Sequence, residues 1–305
     1  YASNWDVIRD KISNYLYLLI DCGKVWNEVL LEQVIFAASK DLSNSYRTGY
    51  RNDNAIKELD DVDNKYVEKL NFLPARETTK SLILALKIKD ASISLNSVYQ
   101  NIAGVPNQKY LSDTGDFNMI GGAEFNRFEI KDFKGKINKE WVQTENAFIK
   151  ENTIIVQNII AHILYPKEHI KITACIPSNE HLNTTTIANT VNQLITEKEI
   201  SNKYTWCILN STLINWYVYH FVYALAIRTM HFYNPISEKV PFIYENINQQ
   251  PFILKADLML SLNKELQHLV DKFQRNMQRE FGLLSLTGKL QNWHDLSYAD
   301  FLREL

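Results

Sequence analysis

The chain has 305 residues, of which 46% are hydrophobic and 22% charged, so it can build one large domain or two to three smaller packed ones. Its formal net charge of −2 gives no bulk signal of a nucleic-acid partner, and any such contact must come from a local basic surface. The three cysteines form no Cys-x-x-Cys pair, which excludes zinc ribbons and dithiol redox motifs and predicts buried, reduced thiols in a cytoplasmic protein.

The first part of the chain has the pattern of an α/β unit. Helical spacing of apolar residues covers 3–19, and residues 20–23 are typical of a strand that enters a turn. In residues 29–39, odd- and even-numbered positions are both apolar, which predicts a strand buried on both faces, as in a parallel sheet. Residues 44–69 are polar and predict a loop with a short helix.

A β-rich middle follows. Residues 81–89 suit a strand or a short helix, and residues 91–103 suit a helix that ends at Gly104. Between residues 109 and 176, glycines separate short apolar runs, which predicts strands at 117–120, 125–130 and 153–160.

The last third is predicted to be helical, with helices at 189–197, 203–226 and 256–281 and a final helical turn at 300–305. The most apolar stretch, 208–227, contains Asn210, Asn215 and His220 among other polar residues. A bilayer span rarely carries so many polar groups, so this stretch predicts a buried helix and no membrane partner.

Several catalytic motifs are absent from the sequence. The seven prolines are never adjacent and no two of the nine glycines lie two apart, so there is neither an Asn-Pro-Pro-Tyr tetrapeptide nor a Gly-x-Gly loop. The spacing of His162, Glu168 and His169 fits no compact metal site. We therefore predict no catalytic, cofactor-binding or metal-ligating residues.

Three segments, in this order along the chain, resemble one family of proteins. Residues 20–40 (IDCGKVWNEVLLEQVIFAASK) resemble the two late strands of an N6-adenine DNA methyltransferase catalytic domain. Residues 118–131 and 152–163 resemble the opening of the Taq-type C-terminal specificity domain of that family. Residues 204–242 closely resemble its "Leu-Asn-Ser" helix and Lys-x-Pro segment, with Leu209-Asn210-Ser211 and Lys239-Val240-Pro241 in the expected order. The tail, 286–305, is similar to the end of large combined restriction-modification methyltransferases.

The resemblance implies an α+β chain in three parts. Residues 1–90 are expected to be the end, or remnant, of the α/β methyltransferase domain. Residues 91–247 are the target-recognition domain, with a mixed β-sheet and flanking helices, and residues 248–305 are a helical C-terminal tail. The family binds S-adenosylmethionine and holds a flipped adenine in its catalytic half. Because the chain begins at Tyr1 and lacks both motifs, we expect a missing N-terminal catalytic half, no cofactor in this part and no activity of this part alone.

The resemblance implies double-stranded DNA as the partner, so phosphate-contacting and base-reading side chains are expected in the loops between short strands. A lysine cluster around Gly135 suits phosphate contact, and a solvated hairpin is the equally weighted alternative. Arg127 suits either DNA or a structural salt bridge, and Gln157 either a ligand or the fold itself. The predicted DNA-binding residues are Lys109, Asn126, Arg127, Lys134, Lys136, Gln157, Arg228, His231 and Asn234.

Two other functions are compatible with the sequence. One is a separate specificity subunit that serves a methyltransferase in trans. The other is a protein-interaction module without a DNA role, which the near-neutral charge allows.

Overall fold

A computed structural model of the chain describes residues 6–26, 28, 31–196, 198–244 and 247–305. The chain divides into two compact units, Tyr1–Gln249 and Gln250–Leu305. Helices and several mixed sheets coexist, which confirms the α+β class. The predicted boundary at 247/248 lies two residues from this division, and the one near residue 90 stays a prediction.

The first unit opens with a four-stranded sheet in the order β2-β1-β3-β4, in which only β1 and β3 run parallel. Buried Leu16 and Ile20 point from β1 into the core beside Tyr46 of β3. The elements are α1 (Asp6–Ser13), β1 (Leu16–Gly23), β2 (Gln33–Ala38), β3 (Ser45–Asn52), β4 (Ala55–Asp63), α2 (Asn64–Leu70) and α3 (Thr79–Asp90).

Strand β2 corrects the prediction for residues 29–39. It is the edge strand of the sheet, and Val34, Ile35 and Phe36 are 55%, 50% and 57% exposed instead of buried on both faces. Residues 29 and 30 lie outside the described residues. The apolar run sets the strand propensity of these residues, but it does not supply the neighbours that would bury them.

Residues 44–63 form a hairpin where the sequence predicted a loop. Asp53 takes a left-handed φ of 53° in the turn between β3 and β4, a conformation that aspartate tolerates. Across the hairpin, Arg47 donates to Asp61 and Glu58 at 2.9 and 3.1 Å. These cross-strand pairs explain how a polar sequence forms strands.

The middle of the chain is β-rich, as predicted. It contains three sheets in the orders β12-β9-β14-β6, β13-β7-β8 and β11-β10-β15, and a short pair, β16-β5. The strands are β5 (Ile93–Ser94), β6 (Gln100–Ala103), β7 (Phe117–Ile120), β8 (Gly135–Ile137), β9 (Thr153–Gln157), β10 (Ile159–Ile163), β11 (His169–Lys171), β12 (Ala174–Cys175), β13 (Thr185–Ile187), β14 (Val191–Ile195), β15 (Met230–His231) and β16 (Pro241–Phe242).

Three predicted elements in this region are wrong. Residues 91–103 form β5, a 3-10 turn and β6 instead of a helix, and residues 191–195 form β14. Residue 197, at the end of the helix predicted for residues 189–197, lies outside the described residues. Residues 125–130 contain only an isolated bridge between Phe125 and Ile130. For residues 91–103 and 191–195, the pairing of distant segments, such as β14 with β6 and β9, overrides the local pattern.

The core of the middle region lies between these strands. Ile120, Phe125, Ile155, Cys175 and Val191 belong to one cluster in which every member is at most 2% exposed. These residues come from segments up to 71 positions apart (191 − 120), so the cluster fixes the strands relative to one another.

The predicted helix at 203–226 is divided. It forms α4 (Asn202–Leu209), α5 (Thr212–Tyr217) and a π-helical turn, Val218–Val222, and is followed by α6 (Asn234–Ser237). Asn210 is the C-cap of α4, and Ser211 caps the start of α5, because its Oγ accepts from the Ile214 amide at 3.2 Å. None of the helices formed by the described residues has the length and apolar character needed to cross a membrane.

The second unit is helical, as predicted. It consists of α7 (Gln250–Phe281), α8 (Gly288–Gln291) and α9 (Tyr298–Glu304). Phe273 of α7 packs on Trp293 with ring centroids 4.5 Å apart, and Lys289 pairs with Glu304.

The cysteines provide a simple test of this packing. Cys175 is 0% exposed, and burial raises the pKa of its thiol to about 12, so the reactive thiolate is almost absent at pH 8. We expect Cys175 to resist a thiol reagent such as iodoacetamide in the folded protein and to react fully in denaturant, as measured by peptide mass spectrometry. Rapid labelling of Cys175 without denaturant would contradict the packing of β12.

Candidate nucleic-acid interface

Arg127 lies in a turn that its neighbours hold firmly. The Asn126 side chain accepts hydrogen bonds from the amides of Phe128 and Glu129 at 2.6 and 3.0 Å. The carbonyl of Arg127 accepts from the indole Nε1 of Trp206 at 2.5 Å. The turn is therefore fixed to α4, and the Arg127 guanidinium is presented from a rigid backbone.

Asparagines join helices α4 and α5 to strands β11 and β12. Asn215 Oδ1 accepts from the Ile172 amide at 2.6 Å. Asn210 donates to the Ala174 carbonyl at 3.0 Å and accepts from its amide at 3.3 Å. These bonds use the Asn210 amide within the fold, and they place Lys171 of β11 opposite the helical segment that carries Trp216.

The turn, the strand and the helices enclose a cavity of about 390 Å³, hereafter the basic cavity. Arg127, Lys167 and Lys171 supply positive charge to its lining, and Trp216 and His220 supply ring surfaces 5.2 Å apart. A lining that combines cations with aromatic rings suits an anion attached to a planar group.

Three positive charges of this region have no ion-pair partner in the described part of the chain. Among the described residues, no carboxylate forms an ion pair with Arg127, Lys131 or Lys171. Burial, together with the charges of Arg127 and Lys131, lowers the pKa of Lys171. Crowded cations that depress one another's protonation are stabilised by an anion placed among them.

The acidic member of the lining, Glu168, already has hydrogen-bond partners. Glu168 Oε1 accepts from the Tyr219 hydroxyl at 2.7 Å and lies 3.0 Å from His162 Nε2. Burial, and secondarily the bond to Glu168, raise the pKa of Tyr219. Within the described ranges, no three histidine, cysteine or carboxylate side chains are grouped so as to hold a metal ion.

A second cavity of about 450 Å³ adjoins the basic cavity, since His220 lines both. His220 Nδ1 lies 2.7 Å from Oε1 of Glu77, which is 3% exposed. Arg228 lines the second cavity, and its guanidinium lies 3.9 Å from Glu32. Arg127 and Arg228, which are 101 positions apart (228 − 127), thus border two adjoining cavities.

The backbone between the two cavities is irregular. Tyr219 and His220 belong to the π-helical turn, and Ala224 and Leu225 follow with left-handed φ values of 54° and 58°. Two consecutive non-glycine residues with left-handed φ values are strained. Both π-helical turns and backbone strain occur preferentially at functional sites.

Lys134 and Gln157 line a third cavity of about 340 Å³, together with Gly122, Ile159 and Thr190. His231 pairs with Ile159 in the β10–β15 ladder and is exposed, so it lies beside this cavity.

The other predicted DNA-binding residues lie elsewhere on the surface. Lys109 lies over the ring of Tyr110, which stacks on Trp141, and Lys136 is exposed on β8. Asn234 begins α6 and accepts from the Asn96 side chain at 3.3 and 3.4 Å. Of the predicted residues, Arg127 and Arg228 thus line the two adjoining cavities, and Lys134 and Gln157 line the third.

Sequence reasoning missed Lys171, Trp216 and His220. Lys171 alternates with buried Ile170 and Ile172, a two-residue period that marks an outward-facing cation on a strand. No comparable signal distinguishes Trp216 from the aromatic residues around it, because only the packing decides which ring lines a cavity.

The amide of Gln157 already has partners in the fold. Its Nε2 donates to the carbonyls of Gly122 and Phe125 at 2.6 and 3.2 Å. We expect Gln157→Leu to lower the free energy of unfolding by roughly 1–2 kcal/mol, as measured by urea denaturation, because both carbonyls lose their donor. The exposed Gln143→Leu is the control and should change stability by about 0.5 kcal/mol or less. Unchanged stability with impaired DNA specificity would instead assign Gln157 to base reading.

Comparisons with known proteins give three findings. Residues 245–305 match a domain of unknown function, DUF8810. No curated protein matches the chain. Similar solved structures include a chain of a type I restriction-modification system (TM-score 0.38, 10% identity, 74% of this chain covered) and the type IIG restriction endonuclease BpuSI (TM-score 0.40, 9% identity, 83% covered).

This chain spans 53% of the type I chain and 40% of BpuSI. At these TM-scores and identities, neither protein bears on the function of this chain.

Proposed function

We propose that this chain recognises double-stranded DNA in a sequence-specific manner, as the target-recognition part of an adenine-N6 DNA methyltransferase of a restriction-modification system. The catalytic half, with its S-adenosylmethionine site, lies outside this sequence in the proposal, and the chain alone is inactive. DNA and that catalytic half are its partners.

One observation carries the DNA role. Arg127 and Lys171 line one cavity, and Lys131 is close enough to depress the pKa of Lys171, yet none of the three has an ion-pair partner among the described residues. Arg127 and Lys171 are half-buried, whereas Lys131 is exposed. Isolated cations in a half-buried position are normally paired. A DNA phosphate supplies the missing anion, and Arg and Lys are the side chains that most often contact it.

Arg228 extends the surface from the basic cavity into the second cavity, where it remains 51% exposed despite its contact with Glu32. Lys134 and His231 offer further polar contacts around the third cavity. Specificity then requires that some of these side chains reach base edges while others contact the backbone.

The choice of adenine and of a restriction-modification context rests on the sequence resemblance. Residues 204–242 resemble the Leu-Asn-Ser helix and the Lys-x-Pro segment of the Taq-type specificity domain. In this fold Asn210 and Ser211 hold β12 and cap α5, which gives that motif a structural role.

A salt titration tests the DNA role directly. The 305-residue chain is titrated against duplex DNA that contains adenine target sites and against a scrambled duplex, by fluorescence anisotropy at several salt concentrations. We expect the logarithm of the association constant to fall linearly with the logarithm of salt concentration, with a slope of about −0.9 for each phosphate contacted.

A chain without a DNA role would show no salt-dependent shift with either duplex, and this result would overturn the proposal in favour of a protein-interaction module. If every duplex in a library of adenine-containing sites binds as tightly as the scrambled duplex, the chain contacts phosphates, but sequence-specific recognition is contradicted.

A further inference from the structure

Helix α7 carries a stripe of exposed apolar side chains. Its members recur at spacings of three and four residues, and each is at least 40% exposed. They are Met259 (47%), Leu262 (54%), Leu266 (59%), Leu269 (54%) and Phe273 (40%).

The stripe is distinct from the face of α7 that is already buried. Ala256 and Met277 are 0% and 3% exposed and lie at other angles around the helix axis. The 3-4-3-4 spacing of the exposed residues is the heptad pattern of a coiled-coil seam, in which two helices pack along their whole contact. From Met259 to Phe273 the seam rises about 21 Å, or roughly four helical turns.

The charges beside the stripe define both the partner and its direction. In the heptad set by these residues, Glu265 and Lys272 occupy successive positions on the same flank, and both are exposed. Antiparallel helices bring that flank of one helix against the same flank of the other, so Glu265 of each copy faces Lys272 of its mate. A parallel pair would instead place Glu265 opposite Val270 and Lys272 opposite Met277, with no charge pair.

We propose that α7 mediates self-association, with the seams of two copies of this chain packed antiparallel about a two-fold axis. Each contact is then made twice, as in any isologous dimer. The axis passes between Leu266 and Leu269, which pack against each other across the interface. Leu262 packs against the exposed part of Phe273, whose ring also contacts Trp293 of its own chain. The two symmetric Glu265–Lys272 pairs flank this core and select the antiparallel direction.

Charge reversal tests the proposal in the full 305-residue chain. Sedimentation velocity over a concentration series should show a reversible monomer–dimer equilibrium for the wild type. Lys272→Glu places two pairs of like charges across the interface, so the dimer dissociation constant should rise about tenfold. The double variant Glu265→Lys, Lys272→Glu exchanges the charges and should restore the wild-type constant.

Lys264→Glu is the matched control, since Lys264 lies on the side of the helix away from the seam and its replacement makes the same change in net charge. It should leave the dissociation constant unchanged, and far-ultraviolet circular dichroism should show wild-type helix content in all variants. A wild-type chain that stays monomeric at about 100 µM would overturn the proposal. So would a Lys272→Glu chain that dimerises like the wild type, or a double variant that is no better than Lys272→Glu alone.

Discussion

Replacing both Arg127 and Lys171 by alanine is expected to weaken binding of duplex DNA by about 10- to 100-fold at moderate salt. The salt slope should become shallower by roughly two units, because each cation that no longer meets a phosphate accounts for about one. The reason is the geometry of the basic cavity, which both side chains line and in which neither has an ion-pair partner among the described residues. The measurement is the anisotropy titration repeated at four or more salt concentrations.

The single variants separate the roles of the two residues. A phosphate contact by Lys171 predicts that Lys171→Ala weakens binding of all duplexes equally. A base contact by Arg127 predicts that Arg127→Ala reduces the difference in binding free energy between the specific and the scrambled duplex by roughly 1–3 kcal/mol. Arg47→Ala is the matched control, because Arg47 is already paired with Asp61 and Glu58. If the double variant Arg127→Ala, Lys171→Ala binds DNA as tightly as Arg47→Ala does, the basic cavity is not the interface.

The pH dependence of binding has a definite sign. Burial, Arg127 and Lys131 lower the pKa of Lys171 in the free chain, whereas a bound phosphate favours the charged lysine. Binding is then accompanied by proton uptake at pH values above the lowered pKa, and affinity falls as the pH rises through it. Lys171→Ala should remove this part of the fall, as measured in titrations across the alkaline range.

Replacing Gln193 by leucine is expected to lower the free energy of unfolding by roughly 3–5 kcal/mol, since each buried group left without a partner costs about 1–3 kcal/mol. Gln193 is 0% exposed on β14. Its Oε1 accepts from the Lys150 amide at 3.2 Å, and its Nε2 donates to the carbonyls of Asn146 and Phe148 at 3.0 and 3.1 Å. One side chain thus satisfies three backbone groups of the segment that leads into β9.

Urea denaturation measures this effect through the midpoint and the slope of the transition. Gln143→Leu, the exposed control used for Gln157, makes the same chemical change without removing a buried hydrogen bond. A decrease of less than about 1 kcal/mol for Gln193→Leu would mean that water replaces the amide and that β14 is more accessible to solvent than its packing indicates.

The sequence by itself determined the elements whose pattern is strong and local. The periodic apolar residues of α7 predicted a helix that the structure confirms. The glycine-separated runs predicted strands at 117–120 and 153–160, and the structure has strands at Phe117–Ile120 and Thr153–Gln157. Arg127 was also identified from the sequence as a candidate, since it stands beside the polar Asn126 in a segment that resembles the recognition domain. Spacing along one segment is sufficient for such predictions because a helix or strand places side chains at a fixed period.

Only the tertiary structure decided which distant segments meet. Residues 91–103 and 191–195 have patterns that suit helices, but their backbones satisfy their hydrogen bonds by pairing as β6 and β14. Strand β2 has the composition of a buried strand, yet it lies at a sheet edge with Phe36 57% exposed.

The candidate site is also formed by tertiary contacts between distant segments. Arg127, Lys171 and Trp216 are more than 40 positions apart along the chain, and no local period relates them. They come together because Trp206 fixes the turn of Arg127 while Asn215 fixes the backbone beside Lys171. The charge of a residue is set by the sequence, but whether that charge has a partner depends on long-range contacts. That Arg127 and Lys171 have no ion-pair partner among the described residues is visible only in the fold.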